Sequence, residues 1–233
     1  MVEQRASLEH REETRDAPQG RKSNYAYLFA GLSLLLLVGP ALDEILPPEA
    51  SALISGSCLS GALLLGIWSF VQSRFAFRVG LALTIGLTVF FVIDVIFHAG
   101  GISLITLNVL MAFLVLSIWH AGRDVLFGGE VDLNRLVGAM CIYEMIGLIW
   151  AVMYAVIASL SPEAFAGLDA AAPFWDFVYY SFVTLTTLGY GDVTPHAALA
   201  KSLAYMEAVI GQLYIAVLIA SLIGSHLASR KSS

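Results

Sequence analysis

Asp94, Glu144 and Glu207 each sit inside a stretch of sequence that is otherwise almost wholly apolar. Burying an ionisable group in hydrocarbon is costly, so carboxyl groups so placed are read first as functional residues. The plainer alternative is that each faces other helices, protonated or hydrogen-bonded. His98, His120, His196 and His226 fall at the ends of apolar stretches and show no metal-ligand spacing. Cys58 and Cys141 lie within apolar runs, where a thiol behaves as a small hydrophobe, and they form neither a disulfide framework nor a metal motif. The densest group of candidate residues is TLTTLGYGD, in which Thr184, Thr186 and Thr187 approach Gly189, Tyr190 and Gly191 and Asp192 closes the run.

The elements that must position these residues are membrane helices. The chain has 233 residues, 58% hydrophobic and 13% charged, with a mean hydropathy of +0.81. That excludes an ordinary soluble domain, and the net charge of −6 argues against nucleic-acid binding. Residues 1–24 are polar and read as a cytoplasmic tail, without the apolar core of a signal peptide. Six apolar segments follow, near residues 26–46, 52–71, 79–97, 102–119, 136–157 and 197–227, each close to the roughly 20 residues that cross a bilayer. With six alternating spans, every Lys and Arg except Lys201 falls on one side, which places both termini in the cytoplasm.

PFWDFVYYSFVTLTT, from Pro173, opens with a proline suited to a first helical turn and carries Asp176 early, where the helix dipole favours an anion. About 13 helical residues reach only about 20 Å, against a hydrocarbon core of about 30 Å. The segment must therefore enter partway and return, and the returning LGYGD needs a protein-walled or aqueous setting. The expected fold is an all-α integral membrane protein with six transmembrane helices and a re-entrant helix between the fifth and sixth.

Thr184, Thr186, Thr187, Gly189, Tyr190, Gly191 and Asp192 together resemble the signature of potassium channels, a likeness extending over roughly Leu136 to Leu227. The resemblance implies a potassium-selective channel subunit, not an enzyme, with one quarter of a pore per chain and hence a homotetramer in a lipid bilayer. Carbonyls of Thr187, Leu188, Gly189 and Tyr190, with the Thr187 hydroxyl, would replace the hydration shell of permeant K+, and no other cofactor is implied. Thr184, Thr186, Gly191 and Asp192 would support the filter and its outer mouth, and Tyr190 would pack against Tyr179 and Tyr180. Gly211 falls where the inner helix of the family commonly bends, the alternative being a glycine that permits close helix contact. Helical spacing from it puts Gln212, Ile215, Ala216, Ile219, Ala220 and Ile223 on the cavity and inner pore.

Three regions follow: the tail 1–24, a four-helix region 25–133, and a pore domain 134–233. Six-span potassium channels often carry basic residues every third position on the fourth helix, but Ile102 to Trp119 contains none, so steep voltage gating is not expected. Glu207, one turn before Gly211, is a candidate for coupling protonation to gating. After Leu227 only six residues remain, too few for a ligand-binding domain, and the expected location is a plasma membrane, the cell inner membrane if the source is bacterial. GYGD also fits the GxGD pattern of intramembrane aspartyl proteases with Asp94 as second carboxyl, and a non-conducting modulatory subunit is a further alternative.

Overall fold

The computed structural model describes residues 25–47, 74–96, 104–127, 133–169 and 172–231, together with Ala50 and Gly61. They form helices α1 (Tyr25–Ile45), α2 (Arg74–Ile96), α3 (Leu104–Phe127), α4 (Leu133–Leu160), α5 (Phe174–Leu185) and α6 (Ala198–Lys231), with two-residue strands β1 (Phe165–Ala166) and β2 (Thr194–Pro195). Within the described residues α1, α3, α4 and α6 are long and apolar enough to cross a membrane. In α2 the described apolar stretch is Leu81–Phe90, with Arg74 and Arg78 before it in the helix and Asp94 after it. The expected span at 52–71, with Cys58, lies outside the described residues, as do the tail 1–24 and His98.

The organising element is α4, which packs against α1, α3, α5 and α6. From α1, the stripe Tyr25, Leu28, Leu32, Leu35 and Gly39 is buried, the three- and four-residue spacing of one helix face. The Tyr25 amide donates to Asn134 Oδ1 at 2.9 Å, and Ser33 Oγ donates to Glu144 Oε1 at 2.6 Å, so α1 and α4 run in the same direction. At the far end of α1 the Trp175 ring of α5 occupies the place where a side chain on Gly39 would be. Glu144 thus joins two helices, and its second oxygen is buried without a hydrogen-bond partner.

Outside the helices, β1 pairs antiparallel with β2, Phe165 opposite Pro195 and Ala166 opposite Thr194. The His196 and Ala197 amides both donate to the Ala164 carbonyl, at 2.8 and 3.1 Å. This clip fixes the chain that leaves Asp192 against the connector that precedes α5, leaving few conformations open to the intervening segment.

Candidate filter segment and its supports

Helix α5 has 12 residues, preceded by Pro173 in an extended conformation with φ −54° and ψ 148°. At about 1.5 Å per residue it is about 18 Å long. Its C-terminal carbonyls do not go unused. The Thr186 amide donates to Phe182, Thr187 to Thr184, and both Leu188 and Gly189 to Val183, at 2.9 to 3.2 Å. Four successive amides are thereby turned back onto the end of α5.

The backbone then alternates in hand: Thr187, Gly189 and Gly191 have φ of 59°, 59° and 81°, while Leu188 and Tyr190 between them do not. Alternation between left- and right-handed conformations turns successive carbonyls toward one side of the strand, whereas an ordinary strand points them to opposite sides. Glycine enters the left-handed region without the steric cost of a Cβ, and Thr187 meets that cost. Residues 186 to 192 are all exposed in the single chain. None of the carbonyls of residues 187 to 190 accepts a backbone hydrogen bond among the described residues.

Two aromatic arrangements hold this segment. Tyr190 stacks on Tyr179, centroids 6.5 Å apart and planes 7° from parallel. The Tyr179 hydroxyl donates to Asp192 Oδ2 at 2.6 Å, and that bond holds the Asp192 carboxyl below its usual value. Tyr180 does not join them. The 100° step per residue turns it to a different side of α5, where it is buried against Tyr154 and Phe165 at centroid distances of 4.8 and 5.4 Å. The expected pairing of Tyr190 with Tyr180 is therefore corrected to Tyr179 alone.

Helix α6 passes behind the end of α5. Gly211 is buried, and a Cβ there would overlap the Leu185 carbonyl oxygen, so glycine is required for the approach of the two helices. α6 continues through Gly211 as an unbroken helix of 34 residues. Gln212 Nε2 lies 3.4 Å from Thr187 Oγ1, and Thr187 Oγ1 itself donates to the Thr186 carbonyl at 2.6 Å. Thr184 Oγ1 and Thr186 Oγ1 donate back to Tyr180 and Phe182 carbonyls.

Gln212, Ile215, Ala216, Ile219, Ala220 and Ile223 are all exposed, but so are Leu213 and Val217 on other sides of the helix. Glu207 is fully buried and bonded to Tyr154 and Ser181. Sequence reading singled out Glu207 and missed both partners. The available signal was register: Ser181 precedes Leu185 by four residues, as Glu207 precedes Gly211. Asp94 has no described side-chain environment, and Asp192 lies on a connector, not on a spanning helix. Among the described residues no cluster of three or more metal-ligating side chains occurs.

Residues 142–225 match a family model described as an ion channel, which takes in most of α4, all of α5, the segment after it and α6 to Ser225. No curated protein matches, and no solved structure does. The match supports an ion channel pore domain over this region, and with the apolar helices it supports a multi-pass membrane protein.

Proposed function

We propose that the chain is one subunit of a homotetrameric potassium-selective channel that carries K+ passively across a plasma membrane, with both termini cytoplasmic. The observation that carries this reading is the alternating backbone from Thr187 to Gly191, its carbonyls free of backbone partners, at the end of a helix too short to span. Four copies about an axis would supply rings of oxygens from Thr187, Leu188, Gly189 and Tyr190 able to replace the shell of a dehydrated cation. The C-terminal end of α5 would add its partial negative charge, and four Asp192 carboxylates would gather cations at the outer mouth.

Six crossings are supported by parity. Since α1 and α4 run in the same direction, an even number of crossings separates their starts. α1, α2 and α3 supply three in this reading, and the apolar stretch 52–71 supplies the fourth. α5 then re-enters from the outer side. α3 carries Arg123 only near its end, so little charge is available to move through the field and the conductance should depend weakly on voltage. The bond from Tyr179 to Asp192 gives that carboxylate a structural task, and no finding favours a proteolytic one.

The test is flux from liposomes containing the purified protein alone. K+ should pass in strong preference to Na+, and Tyr190→Ala, which removes the ring stacked on Tyr179, should abolish the preference. Equal K+ and Na+ flux would overturn potassium selectivity, and absence of any flux would overturn the channel.

A further inference from the structure

Glu207 is fully buried, and three short oxygen contacts run through it. Ser181 Oγ lies 2.7 Å from the Gly147 carbonyl and 2.6 Å from Glu207 Oε1, while the Tyr154 hydroxyl lies 2.5 Å from Glu207 Oε2. Each distance falls in the range of a direct O–H···O bond, which takes a hydrogen of its own. Three bonds need three protons. Ser181 and Tyr154 carry one each and the Gly147 carbonyl carries none, so the third must sit on the Glu207 carboxyl. The arrangement that satisfies every atom has Glu207 Oε1–H donating to Ser181 Oγ, Ser181 donating to Gly147 O, and Tyr154 donating to Glu207 Oε2.

Burial agrees with this count. Among the described residues, the titratable groups that interact with Glu207 are Tyr154 and Tyr143 from α4 and Tyr180 from α5, none of them a cation. An ionised carboxylate there would have no opposite charge to offset its desolvation, whereas a carboxylic acid needs none. Gly147 completes the site, because its missing side chain lets the Phe182 ring of α5 approach, with ring atoms 2.7 Å from where a Cβ would stand.

The placement gives the acid a task. Glu207 lies one turn before Gly211 on α6, and Ser181 lies one turn before Leu185 on α5. The two helices therefore touch twice in matching register, through Ser181–Glu207 and through Leu185–Gly211. Immediately beyond Ser181, the carbonyls of Phe182, Val183 and Thr184 receive the amides of residues 186 to 189. We propose that Glu207 is a positioning residue: as a neutral carboxylic acid it locks α5 to α4 and α6, and its ionisation loosens the end of α5 on which the filter segment rests. The effect on conduction rests on the channel reading above, while the protonation and the locking do not.

The full-length protein in nanodiscs tests this. The infrared difference between wild type and Glu207→Gln should contain a protonated-carboxyl carbonyl stretch at neutral pH that shifts in D2O and disappears only under alkaline conditions. Over the same alkaline range, hydrogen exchange of the amides of 186 to 189 should accelerate about tenfold beyond the intrinsic pH effect, the equivalent of losing one such bond. Glu207→Gln, whose amide can donate to Ser181 and accept from Tyr154, should keep wild-type exchange at neutral pH and lose the alkaline acceleration. Glu207→Met should exchange fast at every pH. No protonated-carboxyl band at neutral pH overturns the proton count, and the same alkaline acceleration in wild type and Glu207→Gln overturns the locking role. If the channel reading holds, K+ flux from wild type should fall as the band disappears and that from Glu207→Gln should not. A band and acceleration without any flux would leave the lock standing and remove only the channel.

Discussion

α4 and α6 are both long and apolar enough to cross a bilayer, yet one chain completes the first and not the second. In its most apolar stretch α4 is 56% buried, while α6 is 11% buried. α4 is enclosed by four other helices. α6 buries Ala200, Glu207 and Gly211 along one narrow stripe and leaves Tyr205, Val209, Leu213 and Val217 exposed. Lipid is as apolar as leucine, so this exposure is no defect by itself. Beside this apolar exposure, Gln212 and the whole of residues 186 to 192 are exposed too, and Gln212 reaches Thr187 in that segment. α4 is completed within the chain, and α6 is the helix that the proposed tetramer would complete.

The largest separation between the two helices should come from matched leucines. Leu148 on α4 is 1% exposed, so Leu148→Ala should cost the subunit about 2–5 kcal/mol through lost contacts and a residual cavity. Leu213 on α6 is 60% exposed, and Leu213→Ala should change subunit stability by less than about 0.5 kcal/mol. Thermal unfolding in detergent measures the first, and the tetramer fraction by native mass spectrometry should report the second. Equal destabilisation by both would erase the distinction.

Gly211→Val sharpens the comparison on the one stripe of α6 that is finished within the subunit. Its Cβ would meet the Leu185 carbonyl, which is backbone and cannot rotate away. An overpacking cost of about 1–3 kcal/mol would shift the α5–α6 contact enough to lower flux by about tenfold or more. Wild-type flux in that variant would show that the close approach is dispensable.

What could be read in advance follows the same division. The helices announced themselves through apolar length, and α5 through a length too short to span, because both are properties of consecutive residues. The turn of the chain after Leu185 was legible from Gly189 and Gly191, since left-handed backbone calls for glycine. Thr187 at φ 59° was not legible, because nothing in a threonine announces left-handed backbone. Partner choice across helices was harder. Tyr179 and Tyr180 are identical in type and adjacent, and only the orientation of α5 against α4 sends one to Tyr190 and the other to Tyr154. Gly211 is open in the sequence to two readings, a bend and a close helix contact, and only the packing of α6 on α5 shows the contact with Leu185.

At the outer end of this contact system, Asp192 should give a smaller, pH-dependent effect. The Tyr179 bond lowers its protonation point, so the bond is present above the ordinary carboxylate range and is lost as pH falls through that lowered point. External acidification should therefore leave flux unchanged until the pH is below about 3.9, the ordinary aspartate value. Tyr179→Phe should move the acid limb upward toward that value. An unchanged acid limb in Tyr179→Phe would mean that the bond does not support the mouth of the filter.

The smallest effect should come from the side-chain contact of Gln212, on the exposed face of α6, with the filter segment. Gln212 Nε2 reaches Thr187 Oγ1 at 3.4 Å, beyond the usual 2.7–3.2 Å range of such bonds. Thr187 Oγ1 already donates to the Thr186 carbonyl, so removing Gln212 leaves that hydroxyl satisfied. Gln212→Ala should change K+ flux by less than about twofold, within the half kilocalorie expected of a weak exposed contact. An effect as large as that of Gly211→Val would invert the picture of α6: its influence on the filter would then pass through exposed side chains rather than through the buried stripe of Glu207 and Gly211.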